Sequence, residues 1–179
     1  GFLKSFPKED WNGDLKIITR DFFNPGLSYR GLPLAAVGRS PVSKVPVGER
    51  VRVRIVAKHS RNQGGEVVIW EKIPAGFTYV KGSLTGVHSG ARIENGYLAI
   101  THVGATRGNR EYFYQLVAKT PGEWRLAPST ILPLDEPSRA SYGTEGKLTV
   151  IPRGKKTNEP YVYQVGERYL LASFAFRDD

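Results

Sequence analysis

Side chains that commonly perform catalysis are few in this sequence and far apart along it. The three histidines are His59, His88 and His102, and their spacing suits neither a helical nor a loop metal site. Because the chain has no cysteine, disulfides, thiol nucleophiles and thiolate metal ligands are excluded as well. We therefore interpret each histidine as an isolated surface or strand residue.

Two short polar patterns deserve comparison with known chemical motifs. The segment 143–147 ends in the Gly-Lys pair of a phosphate-binding loop, but it lacks the full glycine spacing and a following helix. Asp135 and Glu136 are adjacent carboxylates in a proline-rich loop, where we expect solvated side chains rather than a cation site. The sequence contains no G-x-S-x-G nucleophile elbow and no recognisable carboxylate pair for acid–base catalysis. We therefore predict that the chain is not an enzyme and needs no cofactor.

The net charge of +9 is concentrated in one part of the chain. Residues 30–61 hold eight basic residues and one acidic residue. Such a patch attracts anionic polymers through long-range electrostatics, although a solvated strand face can carry the same charge without any partner. We interpret the patch as a strand face, and we keep binding of a polysaccharide or an acidic polymer as the alternative. Nucleic acid is not an expected partner. The candidate binding cations are Arg50, Arg52, Arg54 and Lys58.

Aromatic residues offer a second route to binding, because sugars and bases stack on exposed rings. Trp70 closes an apolar run and Trp124 follows a turn, so we assign both side chains to the core. Tyr112 and Tyr114 share one face of a predicted strand. They are candidate binding residues on the condition that this face is exposed.

The elements that position these side chains are predicted to be β-strands. Between residues 49 and 57, apolar residues alternate with arginines at the two-residue period of a half-buried strand. Gly64-Gly65 separates this run from the apolar run Val67–Trp70, which predicts a hairpin. Asn95-Gly96 predicts a second hairpin, because both turn positions must take a positive φ. Leu15–Arg20 and Lys147–Ile151 are the first and last predicted strands.

Several short strands separated by turns are typical of an antiparallel sandwich. We predict three segments: an irregular stretch over residues 1–14, an Ig-like β-sandwich over 15–152, and a linker with an amphipathic α-helix over 153–179. The fold class is therefore mainly β with a C-terminal helix. The predicted sandwich core includes Val51, Val53, Ile55, Val68, Trp70 and Leu116.

The helix prediction rests on a cap and a spacing. Asn158 can cap a helix that has Pro160 in its first turn, and apolar residues follow at intervals of three and four. This apolar stripe requires a partner, so we expect the helix to dock on the sandwich or to drive self-association. The stripe consists of Val162, Val165, Tyr169, Ala172 and Phe176.

Length and hydropathy narrow the class of protein further. The chain has 179 residues, of which 40% are hydrophobic, so it can form one domain with a sizeable core. No stretch approaches the roughly 18–20 consecutive apolar residues that a membrane-spanning helix needs. Because the first residue is Gly1 and no signal peptide follows, we expect a piece of a longer protein.

Two stretches of the sequence resemble known families. Residues 47–77, VGERVRVRIVAKHSRNQGGEVVIWEKIPAGF, resemble the alternating strand and Pro-Ala-Gly corner of Ig-like repeats in bacterial surface proteins. They are also similar to the C-terminal macroglobulin-like domain of bacterial alpha-2-macroglobulins. Residues 110–152 extend this second resemblance with a strand, a Thr-Pro-Gly turn, a proline-containing strand and a closing strand. The chain has Leu134-Asp135 where that family usually places a Met-Tyr pair.

The resemblance implies a non-catalytic structural or interaction module of a larger bacterial protein in the cell envelope, periplasmic or extracellular. Its implied partners are other domains of the same parent protein, or protein partners at the envelope.

Overall fold

The computed structural model describes residues 14–23, 28–29, 32–33 and 41–152, and this part of the chain is mainly β. One short 3₁₀ helix, Pro137–Arg139, interrupts the described strands. The predicted linker and helix over 153–179 lie outside the described residues, as do residues 1–13 of the predicted irregular stretch. The strands are β1 (Leu15–Phe23), β2 (Ser28–Tyr29), β3 (Leu32–Pro33), β4 (Lys44–Pro46), β5 (Arg50–His59), β6 (Glu66–Lys72), β7 (Phe77–Tyr79), β8 (Gly90–Glu94), β9 (Tyr97–Val103), β10 (Gly108–Ala118), β11 (Gly122–Leu126), β12 (Thr130–Pro133), β13 (Ser141–Tyr142) and β14 (Gly146–Ile151).

Two large sheets form the sandwich that the sequence predicts. One has the strand order β1-β5-β10-β7, and the other has the order β13-β12-β6-β9-β8. A third sheet has three strands in the order β11-β14-β4, and β2 and β3 form a two-stranded sheet. All pairs are antiparallel except β4 with β14, which run parallel. The antiparallel prediction therefore holds for the two large sheets.

The hairpin at Asn95-Gly96 is confirmed. These two residues join β8 to β9, and their φ values are 51° and 80°. Both positive values are those of a type I′ turn, whose twist matches the twist of the two flanking strands.

The hairpin predicted at Gly64-Gly65 is wrong. Strand β5 pairs with β1 and β10, whereas β6 pairs with β9 and β12, so residues 60–65 cross from one sheet to the other. The crossing loop is held by a hydrogen bond from the Gln63 amide to the Ala105 carbonyl. The glycine pair does lie in a turn, as predicted. However, the strands before and after it pair with other strands and not with each other.

The alternation in β5 places its apolar residues in the core, as predicted. Val51, Val53 and Ile55 are fully buried, and Val68 and Leu116 are also buried. The assignment of Trp70 to the core is wrong, because its side chain is only half-buried. Strand periodicity puts it on the outer face of β6, while its neighbours Ile69 and Glu71 point inward.

Candidate functional site

The predicted cationic residues lie on the outer face of the four-stranded sheet. Arg50, Arg52 and Arg54 project from β5 on the side opposite its buried residues, and Lys58 follows on the same face in an exposed position. The three arginines form a row along this central strand, and Val56 separates them from Lys58 on the same face. The sequence therefore predicted the row correctly, and its binding role stays a prediction.

Each arginine of this row has a neighbour on β10. Arg50 Nη1 donates a 3.2 Å hydrogen bond to Gln115 Oε1, and Arg54 Nε pairs with a carboxylate oxygen of Glu111. The guanidinium of Arg52 lies 3.9 Å from the centroid of the Phe113 ring. Exposed pairs of this kind add little stability.

Tyr112 and Tyr114 do not meet the condition for a binding platform. Both are only 1% exposed, because they share the inward-facing side of β10 with Leu116. The Tyr114 hydroxyl donates a hydrogen bond to Glu71, and burial raises the pKa of this tyrosine well above its ordinary value. The assignment of these two tyrosines as surface binding residues is therefore corrected: they are core residues.

A charged pair that sequence analysis missed lies inside the sandwich. Arg20 Nη1 is 3.6 Å from Glu71 Oε1, and both side chains are almost completely buried. Arg20 also donates to the backbone carbonyls of Leu126 and Ala127, at 3.1 and 2.6 Å. One feature of the sequence could have indicated this pair. Glu71 lies two and four residues after Ile69 and Val67, so it shares their inward-facing side of the strand. Because both side chains are buried, this pair is a structural link rather than an accessible reaction centre.

The histidines come together only as a pair. The rings of His59 and His102 lie 6.5 Å apart, and His88 Nδ1 is 2.7 Å from the Gly86 carbonyl oxygen. Burial, with a contribution from the positive charge of Arg110, lowers the pKa of His59 to about 4. Among the described residues, no group of three or more His, Cys, Asp and Glu side chains could hold a metal ion.

The carboxylate of Glu136 takes part in an ion-pair network. It accepts a 3.0 Å bond from Arg139 Nη1, and Arg139 Nη2 lies 2.6 Å from Asp14. Asp14 also accepts from Arg61, and this hydrogen bond is the main reason why its pKa is lowered. The network joins the start of β1 to the loop after β12.

A large apolar groove opens between the edges of the two large sheets. Its volume is about 940 Å³, and it lies between β7, the last strand of one sheet, and β8, the last strand of the other. Ile93 is 51% exposed there although it is a large apolar residue. The rim carries the cations Lys81 and Arg92. The apolar lining includes Ile73, Phe77, Tyr79, Leu84, Ile93 and Leu98.

In the described part of the chain, no helix has the length and apolar character required to cross a membrane.

No family model and no curated protein sequence matches the chain. Solved structures do match it. A mutant of Salmonella alpha-2-macroglobulin matches 85% of this chain and 10% of its own length, at 20% identity and a TM-score of 0.67. Trypsin-activated alpha-2-macroglobulin from Escherichia coli matches the same share at 16% identity, with a TM-score of 0.64 and 11% of its length covered.

A third match shows which region of alpha-2-macroglobulin contains this fold. It is a fragment of Escherichia coli alpha-2-macroglobulin that spans domain MG7 to the C-terminus, with 17% identity and a TM-score of 0.63. The match covers 85% of this chain and 25% of that fragment. The chain thus spans about a tenth to a quarter of the proteins it matches. Its resemblance to the C-terminal region of bacterial alpha-2-macroglobulins is confirmed, and at these identities it establishes a shared fold.

Proposed function

We propose that the chain is a non-catalytic interaction module of a larger bacterial protein, located in the cell envelope or secreted. In this proposal, the groove between β7 and β8 binds another part of the same polypeptide. The observation that carries the proposal is the groove itself, a large apolar surface between two sheet edges. The fold supports it, because the matched segments occupy only a small share of long macroglobulins.

The groove has the properties of a binding surface for another polypeptide segment. Its volume of about 940 Å³ and its mainly apolar lining are those of a ligand-binding cleft. Within the described residues, neither β7 nor β8 pairs with a strand on its groove side. An extended segment can therefore add backbone hydrogen bonds while its side chains fill the groove.

The rim indicates the charge of the occupant. Lys81 and Arg92 stand at the edge of the apolar lining. Because Arg92 is paired with Glu94, an apolar segment with an acidic flanking residue complements the groove and Lys81. We therefore propose an occupant of this chemistry from a neighbouring part of the parent protein.

The first experiment measures the size and location of the natural gene product. An antibody raised against residues 41–152 is used to probe periplasmic, secreted and cytoplasmic fractions of the source bacterium. The proposal expects a band much larger than the 19.9 kDa of this chain, outside the cytoplasm. A band of about that mass, or one confined to the cytoplasm, would contradict it.

The second experiment tests the groove directly. A photo-reactive phenylalanine analogue replaces Ile93 in the full-length protein, and a matched control carries the analogue at Val103. Val103 is 58% exposed but lies on the outer face of the same sheet. We expect the Ile93 variant to crosslink to a residue of the same polypeptide outside 14–152. Equal crosslinking from both positions would exclude the groove as a specific interface.

A second candidate function is binding of an acidic polymer by the cationic row. The row supports it because Arg50, Arg52, Arg54 and Lys58 follow one another along a single strand face. Retention on heparin should then be lost when the three arginines are changed to glutamate. A control with the same change of charge replaces Arg107, Arg125 and Lys147, which are exposed elsewhere. Elution of both variants at the same salt concentration would reject this candidate.

A further inference from the structure

The outer face of the five-stranded sheet carries aromatic side chains that neither candidate function uses. Trp70 on β6, Tyr97 on β9 and Tyr142 on β13 line a shallow depression of about 370 Å³. Strand pairing brings them together, because Thr130 lies opposite both Trp70 and Tyr142 in the register. Each of the three aromatic side chains is half-buried, so part of every ring remains open to solvent.

Two of the rings form a corner. The centroids of Trp70 and Tyr97 are 6.0 Å apart, and the ring planes meet at 89°. Arg92 lies 5.7 Å from the Trp70 ring, and Lys72 lies 5.3 Å from the Tyr97 ring. Each cation lies over one face of its ring, which leaves the other face for a ligand. The residue opposite both Trp70 and Arg92 in the register is the small Ala99, which neighbouring side chains cover completely.

The polar groups at this corner are suited to hydroxyl ligands. Glu94 and Asn95 line the depression, and Thr130 and Tyr142 supply hydroxyl groups there. Arg92 Nε donates a 2.9 Å bond to Glu94 Oε1, which fixes the orientation of the carboxylate. A carboxylate and an amide accept hydrogen bonds from neighbouring hydroxyls, whereas a carboxylate repels phosphate and sulfate.

We propose that this corner is a binding site for a neutral glycan. The C–H face of one sugar ring stacks on the Trp70 indole, and Tyr97 contacts the edge of that ring. Hydroxyl groups of the sugar donate to Glu94 and Asn95 at the rim. The depression has room for one or two sugar rings, so the site would bind a short stretch of a longer glycan. This site lies on the outer face of the five-stranded sheet, away from the cationic row, and it shares Arg92 with the lining of the groove. The ligand class proposed for it is neutral, unlike that of the cationic row.

The test is a titration of the whole chain followed by nuclear magnetic resonance. The probes are two soluble neutral hexasaccharides, one of β-1,4-linked glucose and one of β-1,4-linked N-acetylglucosamine. We expect one of them to shift the Trp70 indole N–H saturably, with a dissociation constant of about 1 mM or lower. A sulfated polysaccharide is the anionic probe, and we expect it to leave this signal unchanged.

Two variants and one control make the result specific. Trp70→Ala removes the stacking surface and should weaken binding at least about tenfold, which corresponds to about 1.4 kcal/mol. Asn95→Gly removes the amide but keeps the positive φ of the turn, so it should fold normally and weaken binding severalfold. Phe113→Ala removes the comparable ring–arginine contact on the opposite outer face and should bind like the original protein.

Three results would overturn the proposal. One is the absence of any shift with either neutral probe at 10-fold the expected dissociation constant. Another is unchanged binding by folded Asn95→Gly together with folded Trp70→Ala. The third is binding that disappears with Phe113→Ala, since that would place the ligand on the other sheet. None of these results bears on the crosslinking test of the groove.

Discussion

The Tyr114 hydroxyl donates a 2.6 Å hydrogen bond to Oε1 of Glu71 across the interior of the sandwich. These residues belong to different sheets, since Tyr114 is on β10 and Glu71 is on β6. Arg20, from β1, lies 3.6 Å from the same carboxylate oxygen. A buried charge is tolerated only when it is paired and hydrogen-bonded, so the three side chains depend on one another.

Glu71→Gln should therefore destabilise the fold strongly. The substitution leaves the Arg20 guanidinium buried without a counter-charge, and loss of one partner of a buried pair costs about 3–5 kcal/mol. Tyr114→Phe should cost about 1.5–3 kcal/mol, because it removes a hydrogen bond to a charged group. Urea denaturation measures both free energies of unfolding. Glu111→Gln, which breaks only the exposed pair with Arg54, should cost about 0–1 kcal/mol. Equal costs for Glu71→Gln and Glu111→Gln would show that the buried pair has no special role.

Gly76→Ala should destabilise the corner before β7. A Cβ atom at this position would lie 2.2 Å from Cε2 of Trp124, so the indole would have to move away. That shift would break the 2.8 Å hydrogen bond from Trp124 Nε1 to the Thr120 carbonyl. We expect a loss of about 1–3 kcal/mol in the free energy of unfolding. Gly64→Ala is the control, since nothing lies within 4 Å of its added Cβ. The explanation fails if the two variants unfold at the same urea concentration.

Leu116→Ala should cost about 2–5 kcal/mol, because this fully buried side chain leaves a cavity in the core. Its neighbour Val117 points to the outer face and is only half-buried, so Val117→Ala should cost much less. Thermal unfolding followed by circular dichroism measures the difference. Similar melting temperatures for the two variants would contradict the assignment of β10 faces.

Stability should fall as the pH falls from about 6.5 to about 4. The unfolded chain protonates His59 near the ordinary pKa of 6.5, whereas the folded protein resists protonation until about 4, chiefly because the ring is buried. Within this window the unfolded state binds more protons, so the folded state loses up to about 1.4 kcal/mol per pH unit from this residue. Burial lowers the pKa of His102 as well, which adds to the loss.

His59→Gln is the matched variant, because glutamine does not titrate in this range. The free energy of unfolding of this variant should depend less steeply on pH between 6.5 and 4 than that of the original chain. Identical slopes in urea titrations at several pH values would show that His59 does not govern the acid response.

Local patterns in the sequence predicted the features that depend on neighbouring residues. The Asn95-Gly96 turn needs two positive φ values, and these two residue types supply them locally. The alternation from Arg50 to His59 fixed which side chains point inward. By contrast, β6 pairs with β9 through residues that are 25 to 37 positions apart in the sequence, so Gly64-Gly65 gave no information about the sheet to which β6 belongs.

The candidate sites were harder to predict, because each one combines elements that are distant in the sequence. The groove exists only because β7 and β8 are both edges of their sheets. Trp70 ends the apolar run Val67–Trp70, but the buried Glu71 beside it points inward, so the tryptophan must face outward. The spacing of Glu71, which places a carboxylate on the inward-facing side of an apolar strand, could have corrected the assignment of Trp70 to the core.

The parallel pairing of β4 with β14, the one such pair among the described strands, has a mechanical consequence. Thr149, Val150 and Ile151 pair in parallel with Lys44, Val45 and Pro46, and the Val47 amide bonds to the Ile151 carbonyl at 2.9 Å. When two parallel strands are pulled from opposite ends, they must slide past each other, and all their hydrogen bonds resist together. Tension applied between the residues that precede β4 and those that follow β14 therefore loads these hydrogen bonds together in shear and does not break them one after another.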